Sequence, residues 1–205
     1  WTRRTYYARL NTFFGFCIQE GYQERNPCDD VERPSEPHKK INYVKPGQLK
    51  KLCETIEKEA KESGRDRRWY ADVLRFTAGS GLRLAELCAL KWKDVDLEEG
   101  TVIVRIAEER GTHGDTFVFQ GPESDRLSYA LTSRYFREYR EEVGLPDALT
   151  FHSLRKTYGT VLASAGVPLR TIQKMLGHSD ITITARTYAD VMSRAAREQV
   201  RAAFG

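Results

Sequence analysis

What most constrains this chain is a helical apolar periodicity punctuated by glycine. Apolar residues recur at three- and four-residue steps, and the runs stop at Gly21, Gly79-Ser80-Gly81, Gly144, Gly166 and Gly177. Such a period buries one face of a helix, and a glycine after the last apolar position accepts the left-handed backbone that closes it. Residues 2–20 carry Tyr6, Leu10, Phe13, Phe14, Cys17 and Ile18 in this way. Pro46 opens a helix bearing Leu49, Leu52, Cys53, Ile56 and Ala60, residues 66–78 repeat the pattern with Trp69, Tyr70, Val73 and Leu74, and another begins near Arg83 with Leu84, Leu87 and Cys88. A long helix is expected from Ser124 to Gly144, with Leu127, Leu131, Tyr135, Tyr139 and Val143 at four-residue steps. Helices over 152–165, from Pro168 to Gly177 and over 180–203 complete the count. Only Thr101–Ile106 alternates and is β-branched, with Thr116–Phe119 as its antiparallel partner across a turn at 111–115. The expected fold class is mainly α with a small antiparallel β-hairpin, free of internal repeats.

Pro27, Pro34 and Pro37 among charges exclude regular structure between Asn26 and Lys40 and mark a linker. The expected division is 1–33, a linker over 34–42, and a main domain over 43–205. The first helix has more apolar surface than a lone helix can cover, so it is expected to pack on preceding elements, and a chain opening on Trp1 reads as a fragment. A charge of +4 favours an acidic partner only slightly. The four cysteines form no C-x-x-C pair and read as free thiols of a reducing, cytoplasmic compartment; no stretch suits a bilayer span or a signal peptide.

Four short segments carry chemistry. Arg83 enters a helix, where free backbone N–H groups suit an anion. His152 and Arg155 are three apart at a helix start and share a face. His178 follows Gly177, and Tyr188 comes ten residues later on an amphipathic helix. Each has an ordinary explanation alone: Arg83 paired with Glu86, His178 a loop side chain, Tyr188 core. Together they match phosphoryl transfer. Two planar guanidinium groups suit the non-bridging oxygens of a phosphorane, and imidazoles exchange protons near neutral pH. Tyrosine, with an ordinary pKa of about 10, needs such partners to act as a nucleophile.

Gly81-Leu-Arg83-Leu-Ala-Glu86-Leu, Thr150-Phe-His152-Ser-Leu-Arg155-Lys-Thr and Leu176-Gly177-His178-Ser followed by Thr184 and Tyr188 resemble, in order, the boxes of the tyrosine recombinases, the phage-integrase family. Asn26-Pro27 after an aromatic-rich helix resembles the end of that family's core-binding domain. The resemblance implies a tyrosine recombinase catalytic domain over 43–205 and the tail of a DNA-clamping domain over 1–33. It implies Tyr188 as nucleophile, Arg83 and Arg155 clamping the scissile phosphate of double-stranded DNA, His152 as general base or hydrogen-bonding partner, and His178 on a non-bridging oxygen. Lys156 stands where the family has histidine and would touch the DNA backbone. The products would be a 3′-phosphotyrosine and a 5′-hydroxyl, formed without metal, cofactor or ATP, with strand exchange through a Holliday junction in a homo-tetramer.

One departure is plain: the family's hairpin lysine has no counterpart, since no lysine lies between Lys93 and Lys156, and Arg105, Arg110 and His113 are the substitutes available. A type IB topoisomerase and a non-catalytic DNA-binding protein of the same fold are the alternative readings. The tail after Tyr188, ending at Phe204, either covers its own core or docks on a neighbouring protomer.

Overall fold

The structure, a computed structural model, describes residues 3–35, 41–62, 67–102, 116–121 and 124–204. They fall into two compact units, Trp1–Lys40 and Ile41–Gly205.

The first unit is helix α1 (Arg3–Gln19) and a 3-10 turn at Pro27–Asp30. Gly21 takes φ 74°, closing α1 with the Tyr22 N–H on the Cys17 carbonyl at 2.8 Å. The turn corrects the expectation that nothing regular follows Asn26. Asn26 caps it by accepting the Cys28 N–H at 3.0 Å, and Pro27 fits the first position because its missing N–H would have had no partner there. The Asn26 amide also donates to Asn11 Oδ1, and the Tyr7 hydroxyl donates to the Cys28 carbonyl, which ties the turn to α1. No α1 side chain is buried; Tyr6, Leu10, Phe13 and Phe16 are each about half exposed.

The described residues of the second unit form helices α2 (Pro46–Glu62), α3 (Arg68–Ser80), α4 (Leu84–Ala89), α5 (Tyr129–Glu142), α6 (His152–Ser164), α7 (Leu169–Met175) and α8 (Ile181–Phe204). Helix α3 lies against α2 and α6, α5 against α2 and α4, and α6 also against α7 and α8. Leu52 and Ile56 of α2, Leu74 of α3, Phe136 and Tyr139 of α5 and Leu154 of α6 form the main core. Each such side chain contributes about 1.5–3 kcal/mol by leaving water. A smaller cluster of Ala163, Ile172, Leu176 and Tyr188 sits where α6, α7 and α8 meet. Two buried hydroxyls pin the interior: Tyr70 donates to the Thr132 carbonyl at 2.7 Å, and Thr157 exchanges hydrogen bonds with both backbone groups of Val44, fixing the entry to the unit on α6.

Two expectations change. Helix α5 begins at Tyr129 rather than near Ser124, because an isolated antiparallel bridge holds Gly121 against Ser124 and the Ser128 hydroxyl then caps the helix by accepting the Leu131 N–H. Leu127 is buried from the segment ahead of it. The β element is also different. Strand β2 (Thr101–Val102) pairs antiparallel with β1 (Val95–Asp96), and Phe117 bridges Lys91, so 116–119 has a partner in 90–92 that the alternation did not reveal. Residues 103–115, with the rest of the expected hairpin and Arg105, Arg110 and His113, lie outside the described residues, as do the side chains of Val200 and Phe204.

All four cysteines are free. Cys53 and Cys28 are buried, whereas Cys17 and Cys88 are only half-buried; burial pushes the Cys53 and Cys88 thiols up to about 11, which keeps them protonated and unreactive. No helix among the described residues is long and apolar enough to cross a membrane.

Candidate active site

Helix ends rather than helix middles bring most of the site together. Gly81, at φ 69°, closes α3 by donating its N–H to the Thr77 carbonyl. A side chain there would strain the backbone, and its Cβ would lie 2.3 Å from the Tyr158 ring. The chain turns within two residues, and Arg83 becomes the cap of α4 with extended backbone. Glu86 accepts from both the Arg83 backbone N–H and its guanidinium at 2.7 Å. The other guanidinium nitrogen donates to the Gly177 carbonyl at 3.0 Å. Arg83 remains 47% exposed at its side chain, so it is aimed while still open to a ligand.

Arg155 is the opposite case, only 3% exposed. Its guanidinium donates to the Gly81 carbonyl at 2.7 Å and to the Leu176 carbonyl, and Glu86 stands 3.9 Å away. One side chain therefore joins the α3–α4 turn, helix α6 and the end of α7. The sequence reading selected Arg155 for a ligand; the carbonyls it holds could not have been read from its motif.

His152 begins α6, and His178 follows the left-handed Gly177 with Nδ1 2.8 Å from the Thr184 hydroxyl. Both imidazoles are held below the ordinary histidine pKa. For His152 the causes are loss of hydration, then the charges of Lys156, Arg155 and Arg83; for His178 they are burial, then Arg155, Arg83 and His152. The four expected partners thus share one electrostatic neighbourhood, with the Glu86 carboxylate beside both arginines. Cations gathered this closely repel one another, and an incoming anion would relieve that repulsion. Among the described residues no cluster of His, Cys, Asp and Glu could hold a metal ion.

Tyr188 is enclosed rather than presented to a substrate. It is 2% exposed, packed in the cluster with Ala163, Ile172 and Leu176. Burial pushes its hydroxyl up to about 12, against the pull of Arg155. Its ring presses on Gly159 of α6, where an added Cβ would lie 2.3 Å from the ring carbon Cζ and 2.4 Å from the hydroxyl oxygen. Sequence reasoning missed Gly159. Its signal is a glycine inside a helical pattern, a choice that costs about 1 kcal/mol unless packing needs it. Gly159→Ala is expected to lower stability by about 1–3 kcal/mol unless the tyrosine is expelled. Thermal unfolding reads that loss, and an unchanged midpoint with Tyr188 still buried would contradict the packing described.

The phage integrase family profile matches residues 42–115 and 104–194. The tyrosine recombinase XerC-like protein of Caldanaerobacter subterraneus subsp. tengcongensis is 27% identical, over 90% of this chain and 61% of its own length, and XerC of Xanthomonas axonopodis pv. citri is 28% identical, over 86% and 63%. The chain thus spans about three-fifths of the length of these curated relatives. The first alignment runs over 244 positions, more than the 205 residues here, so it must open gaps in this chain. Among solved structures, the Tn1549 transposon integrase in complex with circular intermediate DNA superposes with a TM-score of 0.69 at 22% identity, over 96% of this chain and 77% of that one. The XerA recombinase does so at 0.59 and 21%, over 97% and 82%. These likenesses establish the fold as that of tyrosine recombinase and integrase domains.

Proposed function

The chain belongs to the phage integrase family, and on that footing we propose that it is a tyrosine-type site-specific DNA recombinase that cuts and rejoins DNA through a 3′-phosphotyrosyl intermediate. The observation that carries this reading is the junction at Arg155, whose guanidinium ties the Gly81 turn to the end of α7 and so gathers Arg83, His152 and His178 around one point.

In this mechanism the Arg83 and Arg155 guanidinium groups donate to the non-bridging oxygens of the scissile phosphate, and His178 adds a further donor. His152 accepts or shares the phenolic proton as the Tyr188 oxygen attacks phosphorus. The P–O5′ bond breaks, and the leaving oxygen takes up a proton from water and departs as a 5′-hydroxyl. A 5′-hydroxyl from another strand reverses the step, and because the phosphodiester energy is kept in the enzyme–DNA bond, neither metal nor ATP is required. Tyr188 must first leave its apolar slot. Lys156 lies beside His152 and serves as a backbone contact. The 1–33 segment is read as the tail of a DNA-clamping domain, the 43–205 segment as the catalytic domain, and the working form as a homo-tetramer on DNA.

The test is covalent capture: fragmented DNA is incubated with the protein, denatured, and any protein-bound fragment recovered and sequenced at its end. An adduct mapped to Tyr188 and formed equally well in chelator is the expected result. Affinity for DNA with no adduct would favour a non-catalytic DNA-binding protein of this fold, and strict dependence on a metal would refute the mechanism.

Deleting residues 193–205 is expected to impair multimer assembly on DNA far more than binding to a single site. The tail carries Arg194, Arg197 and Arg201 between apolar positions, which suits a neighbouring protomer as well as its own core. Since Ala195 is 8% exposed, thermal unfolding without DNA is the control, and a loss of folding stability matching the loss of assembly would assign the tail to its own core.

A further inference from the structure

We propose that Thr184 is a positioning residue for His178: its hydroxyl donates to Nδ1 and thereby fixes the neutral ring with its proton on Nε2. Thr184 is fully buried, and its oxygen lies 2.8 Å from Nδ1. A hydroxyl has a single proton to donate. Elsewhere in this chain helical threonines give that proton to the carbonyl four residues back, as Thr77 does to Val73 at 2.7 Å and Thr187 to Ile183 at 2.9 Å. For Thr184 the corresponding carbonyl, that of Asp180, takes the Ile183 N–H and no bond from the Thr184 hydroxyl. The ring nitrogen is the partner Thr184 has instead.

A consequence for protonation follows. If Nδ1 carried a proton, the buried hydroxyl would have to turn its lone pair towards the ring, and its own proton would lose its acceptor. Leaving such a donor unmatched in a buried place carries its full desolvation penalty. That penalty disfavours both the Nδ1–H tautomer and the imidazolium. The surroundings act in the same direction, since Arg155 and His152 from α6 and Arg83 from the turn before α4 all face the ring with positive or potentially positive charge. The α7 side offers no counter-charge: Gln173 donates its amide to the His178 carbonyl. Nε2 is then the ring's free nitrogen, already protonated and able to donate to a phosphate oxygen at neutral pH without the ring becoming charged.

The geometry also links two groups of the site. Thr184 stands one helical turn before Tyr188 on α8, so the helix carrying the tyrosine also orients the histidine. The catalytic consequence rests on the proposed recombinase reading; the tautomer does not.

The test has two arms. In the first, nitrogen-15 NMR of histidine-labelled protein without DNA reads both ring nitrogens of His178. The expected result is a bare Nδ1 and a protonated Nε2 from about pH 6.5 upward. A protonated Nδ1 in the unsubstituted protein would overturn the proposal, and this measurement needs no variant. Thr184→Val, which keeps the shape and removes the hydroxyl, is expected to release a mixture of tautomers and raise the ring's pKa, and Thr184→Ser to restore the original spectrum. A Val spectrum identical to that of the unsubstituted protein would also overturn it. In the second arm, single-turnover adduct formation is expected to fall about 10- to 100-fold in Thr184→Val, with DNA affinity unchanged and recovery in Thr184→Ser. An undiminished adduct rate in a Val variant with altered tautomer would remove the catalytic consequence. If the unsubstituted protein forms no adduct while the NMR result holds, the recombinase reading fails and the tautomer assignment stands.

Discussion

Tyr188→Phe is expected to eliminate the covalent protein–DNA adduct while changing DNA affinity by less than about twofold. Affinity for a duplex comes mainly from neutralised phosphates, and the substitution removes no positive charge. One oxygen is lost, and it is the only atom able to form the phosphotyrosyl bond. The hydroxyl is enclosed against Gly159 in an apolar cluster, so its removal should leave the melting temperature nearly unchanged or slightly raised. Three measurements therefore diverge: adduct vanishes, affinity holds, stability holds. Adduct persisting in the Phe variant would mean that another residue attacks phosphorus. A large loss of stability would mean that the hydroxyl has a structural partner.

The pH dependence of the histidines has a definite sign. Both imidazoles titrate below the ordinary histidine value in the folded protein. The unfolded chain therefore binds protons more readily over the interval from about pH 6.5 down to the lowered values, and stability falls as the pH drops through that window. The tyrosine acts at the other end. With the Tyr188 hydroxyl pushed up to about 12, the unfolded chain releases that proton first, and stability declines as the pH rises from about 10.

The helices were legible because an apolar period of 3.6 is a direct imprint of one-sided burial, and seven of the eight begin and end within about two residues of their apolar and glycine signals. The start of α5 was not, because Leu127 continues the period although a non-helical segment supplies it; a buried leucine leaves the same mark in either conformation. The pairing of 116–119 with 90–92 was hidden for a related reason. Alternation shows that a strand exists and says nothing of its partner. At the candidate site, residue types were readable from their spacing, whereas their hydrogen-bond partners were not. Tyr188 illustrates the limit: core residue and nucleophile were opposed readings, yet the structure has it in the core, so the proposed function requires one side chain to occupy two places. Gly159 becomes meaningful only once α8 is known to cross α6 there.

The second large effect is expected at Arg155, where structure and chemistry fail together. Arg155→Lys puts a compact ammonium where a planar fork reaches the Gly81 and Leu176 carbonyls at once. One carbonyl is left without its donor in a site where Arg155 is 3% exposed, at a cost of about 1–3 kcal/mol. For a unit of this size that is about 2–4 °C in melting temperature for each kcal/mol. The phosphate loses a preorganised donor as well, a loss of about 10²–10³ in rate. The reach of the damage should exceed Arg155 itself, since the Gly177 carbonyl that steadies Arg83 adjoins Leu176, and His178 follows it. Arg83→Lys provides the comparison: Arg83 is half exposed and held largely by Glu86, so its loss should cost the same order of rate with little change in melting temperature. Rates and melting temperatures measured on both variants separate the two roles. Equal melting temperatures for the two would show that the Arg155 hydrogen bonds do not hold the turn to α7, and an adduct rate near that of the unsubstituted protein in either variant would remove that arginine from the site.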